Sequence, residues 1–109
     1  MEIDLSKNFE EYDQRIKWLH RTSERLMEIE REYEEKSPKI LQKAIEEDVD
    51  FKALYGGNTE KTRKKYVDEQ LSDILLEKER LKLFKENDNR RISFLKRMID
   101  MKIALIKYS

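Results

Sequence analysis

Cysteine is absent from this 109-residue chain, proline occurs once and glycine twice. Without cysteine there is no disulfide framework, no thiolate metal site and no cysteine nucleophile. Two glycines and one proline are too few for the turns of a β fold, so the chain reads as mostly long helix. Long hydrophobic runs are missing as well. The apolar stretches are a few residues each, against the ~18–20 that span a bilayer. Met-Glu-Ile-Asp-Leu-Ser-Lys-Asn is not a basic segment followed by an apolar one, so a cytoplasmic protein with no membrane partner is expected. Neither sign of charge prevails: Lys plus Arg is 24 and Asp plus Glu is 24. That balance argues against a basic nucleic-acid coat or an acidic tail. The apolar share of 38% lies below the ~45–50% of ordinary domains, which fits one small domain.

What the chain does have is a largely apolar seam at helical spacing. Phe9, Tyr12, Ile16, Leu19, Ser23, Leu26, Glu30, Tyr33, Ser37, Ile40 and Ala44 step by three and four without a slip, which is a heptad seam. Asn8 followed by Glu11 resembles a capping box, so the first helix is expected to start near residue 8. Ser37-Pro38 predicts a kink or break at 36–38, because proline lacks the N–H that a helix interior needs. A shorter helix should then reach about residue 48. Phe51, Leu54 and Tyr55 read as one helical turn plugging the end of the core. Gly56-Gly57-Asn58 is the clear punctuation, with glycine suited to the left-handed position and Asn58 to the next N-cap.

A helix-compatible stretch runs from about Thr59 to Lys107. Its seam is Val67, Leu71, Ile74, Lys78, Leu81, Lys85, Asp88, Ile92, Leu95, Ile99, Lys102 and Ile106. Asn87-Asp88-Asn89 are weak helix formers, so a local defect is expected there. From Ile92 onward the helix is apolar almost all round, which calls for burial on several sides.

The expected architecture is all-α: a long antiparallel helical hairpin, with arm one at 8–48, a turn at 49–58 and arm two at 59–107. Two arms cannot shield a helix that is apolar all round, so a dimer forming a four-helix bundle is predicted. Phe9, Tyr12, Ile16, Leu19, Ile92, Leu95, Ile99 and Ile106 are the candidate self-association residues. The alternative is a monomer that breaks at Pro38 into a compact three-helix bundle.

The zero net charge hides a split. Residues 1–57 hold 15 acidic and 10 basic residues, and residues 58–109 hold 9 and 14. Two arms neutralising each other explain this more simply than a polyanionic partner. His20, the one histidine, sits a turn from Glu24 and reads as an ordinary helix residue. A single histidine cannot supply the paired Glu-x-x-His motifs of a di-iron bundle. Gly56-Gly57 lacks the Lys-Ser/Thr that a phosphate loop requires. No catalytic residue, metal site or cofactor is therefore expected, and the protein is not read as an enzyme.

Lys61, Arg63, Lys64 and Lys65 stand apart, since basic residues oppose the positive end of a helix dipole. Together with Phe51, Leu54 and Tyr55 they are the candidate site for a protein partner whose identity the residues do not name. Their plainer explanation is a structural plug beside a solvated first turn. Lys78, Lys82 and Lys85, and Arg90, Arg91, Lys96 and Arg97, are further basic groups that could meet phosphates. Nucleic-acid binding is the alternative and is not favoured, because acids accompany each group.

The run Asp50-Phe51-Lys52-Ala53-Leu54-Tyr55-Gly56-Gly57-Asn58-Thr59-Glu60-Lys61-Thr62-Arg63-Lys64-Lys65-Tyr66 resembles small coiled-coil proteins of bacteriophages and integrated mobile elements. The shared pattern is an Asn-x-x-x-x-Arg turn, here Asn58 to Arg63, before a long charged helix. Arg90-Arg91-Ile92-Ser93-Phe94-Leu95-Lys96 adds to it. The resemblance covers residues 50–100. It implies a phage accessory protein, of the kind found among replication and recombination genes, in the cytoplasm of the host cell. It carries over no catalytic residue. The WXG secretion substrates are similar in having a mid-chain glycine turn. This chain has Leu54-Tyr55-Gly56-Gly57 there and its Trp18 far upstream.

Overall fold

The structure is a computed structural model and describes residues 4–108. Every regular element among them is a helix: α1 (Ser6–Glu46), α2 (Phe51–Tyr55), α3 (Glu60–Gln70) and α4 (Ser72–Lys107). None is long and apolar enough to cross a membrane. The chain divides into two compact units. One, the terminal unit, joins the chain up to Arg25 with the chain from Leu81 onward; the other, the turn unit, is Leu26–Arg80.

In the terminal unit the first part of α1 lies antiparallel to α4. Asn8 meets Lys102, Glu11 meets Arg91 and Arg15 meets Asp88, so rising numbers on α1 face falling numbers on α4. Leu95 and Ile99 are buried between them, and Tyr12, Ile16, Leu19 and Ile92 are half-buried. α1 begins at Ser6 rather than at the Asn8–Glu11 pair. Asp4, just ahead of the helix, accepts from the Ser6 amide through Oδ1 at 2.8 Å. Asn8 is drawn off to accept a hydrogen bond from Lys102 Nζ at 2.6 Å. α4 stays helical through Asn87-Asp88-Asn89, where a defect was expected. The tertiary contact of Asp88 with Arg15 outweighs the weak helix propensity of the exposed asparagines on either side.

In the turn unit Ile29, Ala44, Phe51, Val67 and Leu71 form the core. The seam of α1 departs here from strict heptads: Ile29 is 1% exposed, and Glu30 faces water. Pro38 lies inside α1, which continues unbroken to Glu46. Pro38 and Glu34, the pair that loses its hydrogen bond to proline, are both exposed residues. Ser37 Oγ donates to the Tyr33 carbonyl one turn back.

The end of α1 is a Schellman motif. The Val49 amide bonds the Ala44 carbonyl at 3.0 Å, the Asp48 amide bonds Ile45 at 3.2 Å, and Asp48 takes φ 53°. Asp50 then caps α2 through the Ala53 amide, and Gly56 closes it in the left-handed region at φ 80°. The N-cap of α3 is Thr59, not Asn58. Thr59 and Thr62 form a reciprocal capping box, and Asn58 Oδ1 accepts from Arg63 Nε at 2.8 Å. The second arm is interrupted at Leu71 (φ −104°, ψ 21°), which is 6% exposed in the core. Ser72 and Asp73 follow, residue types that favour a fresh helix start.

Candidate interaction surfaces

A groove of about 860 Å³ runs along the α3–α4 junction of the turn unit. It exists because the helix path changes at Leu71, so side chains before and after that residue flank one depression. Leu75, half-buried, and Leu76, 65% exposed, supply its apolar surface. Three consecutive apolar residues, Ile74 to Leu76, cannot all face one core, and that is the signal sequence reasoning missed. Lys61, Lys64 and Lys65 stand along the groove, and Tyr55 of α2 closes it.

Of the groove acids Asp68, Glu69 and Glu79, the first two accept from phenols. Tyr55 Oη donates to Glu69 Oε2 at 2.6 Å, and Tyr33 Oη donates to Asp68 Oδ1 at 2.6 Å. The Glu69 hydrogen bond, with some desolvation, pushes the Tyr55 hydroxyl up to about 12. Asp68 likewise raises Tyr33. Lys65 Nζ sits 5.6 Å from the Tyr55 ring centroid, a cation–π contact. Each phenol keeps its proton at neutral pH and donates it in a hydrogen bond to its carboxylate.

Of the candidate partner residues, Tyr55, Lys61, Lys64 and Lys65 come together in the groove. Leu54 is exposed outside its lining. Arg63 braces Asn58 at the turn. Phe51 is 4% exposed and packs edge-on to Tyr66 at 5.4 Å between centroids, so it is part of the core.

The terminal unit presents a different surface. α4 carries a second apolar row: Phe94, Met98, Met101 and Leu105, continued by Tyr108 beyond its end. The row steps by four and three and lies roughly 120° round the helix from Leu95 and Ile99. Phe94 is 44%, Met101 53% and Leu105 55% exposed, and Met98 is half-buried. Of the candidate self-association residues, Leu95 and Ile99 are consumed inside the unit. Tyr12, Ile16, Leu19 and Ile92 are partly covered, and Phe9 and Ile106 remain open.

Beside this row runs a polar ladder. Arg91 grips Glu11 with two bonds of 2.6 Å, and Arg15 Nη1 reaches Asp88 Oδ1 at 2.9 Å. The Arg91 hydrogen bonds hold the Glu11 carboxyl below the usual carboxylate range and raise Arg91 in turn. Arg15 Nε is buried without a hydrogen-bond acceptor, 3.9 Å from Glu11 Oε2. Arg15 also lies 5.1 Å from the Trp18 ring centroid, and Arg91 the same distance from Phe94. His20 is exposed.

No protein-family model, curated protein or solved structure matches the chain.

Proposed function

We propose that the chain is a non-enzymatic accessory protein acting through helix-mediated protein–protein interaction and self-association. The observation that carries this reading is the open row on α4. Phe94, Met98, Met101 and Leu105 repeat at the spacing of a coiled-coil seam, on a helix that already buries another face. Pairing two copies through this row turns two helix pairs into a four-helix bundle. Phe9 and Ile106 add apolar area, and α1 is kinked at Pro38, where a backbone hydrogen bond is lost. The Asn58–Arg63 turn supports a phage or mobile-element origin through its resemblance to that group, with the host cytoplasm as its place of action.

Sedimentation velocity tests the self-association. A dimer is expected at tens of micromolar, and Met101→Glu with Leu105→Glu should return it to a monomer without loss of helicity. A wild-type monomer at that concentration sinks the reading.

The second reading is a nucleic-acid accessory. The terminal unit holds 13 basic and 9 acidic residues, and Lys96, Arg97 and Lys107 are exposed. A mobility-shift titration with single- and double-stranded DNA at two salt concentrations decides it. The absence of a shift at low salt excludes it, because the phosphate contribution is strongest there.

A further inference from the structure

We infer that a cleft in the terminal unit takes an unpaired base of a single-stranded nucleic acid. The inference gives the second reading above a site and a substrate class, and rests on it. The cleft, of about 470 Å³, lies between α1 and α4, with Trp18 on one side and Phe84 on the other. Both rings are open to solvent, Trp18 at 42% and Phe84 at 51%. Phe9, Trp18, Phe84, Phe94 and Tyr108 are the exposed aromatic side chains among the described residues. All five belong to the terminal unit, whose charge balance is +4.

Rings and cations stand together at the cleft. Arg15 holds the Trp18 indole by a cation–π contact at 5.1 Å. Arg21 also lines the cleft, is exposed, and has no carboxylate within ion-pair distance among the described residues. Asp88 is the one acid in the lining, and the two arginines outnumber it. Thr22 and Asn87 add a hydroxyl and an amide, which can both donate and accept at a base edge. Beyond the cleft, Arg90 and Arg97 follow Asn87 along one exposed stripe of α4.

An aromatic face with cations beside it suits a base and its phosphate, the one stacking and the other meeting arginine. The base must be unpaired, since within a duplex its faces are already stacked. A strand suits better than a free nucleotide, because Phe84 to Arg97 covers about 20 Å of α4. An acidic peptide would answer the arginines but offers no ring to the aromatics. Leu105 of the self-association row is about 30 Å from Phe84 along α4, so the two surfaces are separate.

The test uses the full-length protein and four probes: an oligothymidine of about 20 bases, a duplex of the same length, thymidine monophosphate, and polyglutamate. Trp18 is the one tryptophan of the chain, so its emission reports on the cleft directly. At low salt the oligothymidine should quench that emission and polyglutamate should not. By fluorescence anisotropy of labelled oligothymidine, Trp18→Leu and Phe84→Ala should each weaken binding about tenfold. Arg21→Gln should lower the slope of log affinity against log salt by about 0.7. Trp18, Arg21 and Phe84 are all exposed, so the variants should keep their helicity, as circular dichroism verifies. Unchanged affinity in Trp18→Leu or in Phe84→Ala overturns the inference. So does a duplex or thymidine monophosphate that binds as tightly as the strand, or equal quenching by polyglutamate. In each of these cases DNA binding at low salt leaves the nucleic-acid reading standing. Neither strand nor duplex binding at low salt removes the reading and the inference together.

Discussion

The terminal unit and the turn unit solve the same problem with different materials. The terminal unit aligns two helices by charge: Arg15 with Asp88, Arg91 with Glu11 and Lys102 with Asn8. The turn unit closes a knot of apolar residues, Ile29, Ala44, Phe51, Val67 and Leu71, with capped turns around them. Of the fourteen large apolar side chains most exposed among the described residues, ten belong to the terminal unit. Directional ion pairs select a register but cover little apolar surface, so the terminal unit keeps an exposed apolar face. The turn unit holds the other four, Met27, Ile45, Leu54 and Leu76. The charge follows the same division, +4 in the terminal unit against −4 in the turn unit. Neutrality of the whole chain is therefore not neutrality of each part.

The largest effect should come from the buried residues of each unit. Leu95, 1% exposed, and Ile29, 1% exposed, should each cost about 3 kcal/mol on replacement by alanine. Leu105→Ala, on the open row, should cost less than about 0.5 kcal/mol in the monomer. Its loss should appear in self-association instead. Urea denaturation at concentrations above and below the dimer midpoint separates the two. Equal costs for Leu95→Ala and Leu105→Ala in the monomer would erase the distinction between inner and outer faces of α4.

Next in size is the ion pair. Asp88→Ala leaves Arg15 without its short partner, and should cost about 2 kcal/mol. The figure is below the 3–5 of a fully buried pair because the Arg15 side chain is 30% exposed. Arg15→Met with Asp88→Leu should recover most of it, since an apolar pair of similar volume replaces two desolvated charges. A double variant as unstable as Asp88→Ala would mean that the pair is not what holds the helices in register.

The pH limits should also divide between the units. Glu11 is held below its ordinary value of 4.5, chiefly by the Arg91 hydrogen bond. Its contribution is present above that value and is lost as pH falls through the depressed folded value. Tyr55 is pushed up from 10.0 to about 12, chiefly by Glu69. Its contribution is full below pH 10 and is lost as pH rises towards 12. Glu11→Gln should flatten the acid limb of the stability profile and Tyr55→Phe the alkaline limb. Each change leaving the other limb intact supports the division; both acting on one limb would refute it.

The two units also differ in what their sequences disclose. Along α3 and α4 the expected seam from Val67 to Lys102 is buried or half-buried at every position, including the polar Lys78, Lys85 and Asp88. Periodicity reports a face, whatever occupies it, and only Ile106 falls outside. The lysines of the groove were legible as a cluster lacking a helix-stability reason. Its leucine surface was not, because that depends on the interruption at Leu71, and one irregular residue hardly disturbs the apolar spacing. Pro38 does not end α1 for a related reason: the cost of an interior proline depends on whether its face meets solvent. Thr59 displaced Asn58 as the cap because Thr62 could reciprocate. Such choices between adjacent residues are settled by partners three positions away, not by propensity alone.

The smallest effect probes the backbone itself. Asp48 adopts φ 53°, a region that glycine enters without the clash of a Cβ. Its side chain makes no hydrogen bond or ion pair among the described residues, and the two Schellman hydrogen bonds come from backbone amides that glycine retains. Asp48→Gly should therefore stabilise the turn unit by about 0.5–1 kcal/mol, net of the extra freedom that glycine gains when unfolded. The matching change in the terminal unit is Ala104→Gly, at an exposed position in the last turn of α4. It should destabilise by about 1 kcal/mol, because there the helical backbone has no use for positive φ. Opposite signs from one residue type, read as shifts in melting temperature, would show that the turn unit depends on local backbone geometry where the terminal unit depends on helix continuity. If Asp48→Gly also destabilises, the aspartate contributes a contact that the Schellman geometry alone does not supply.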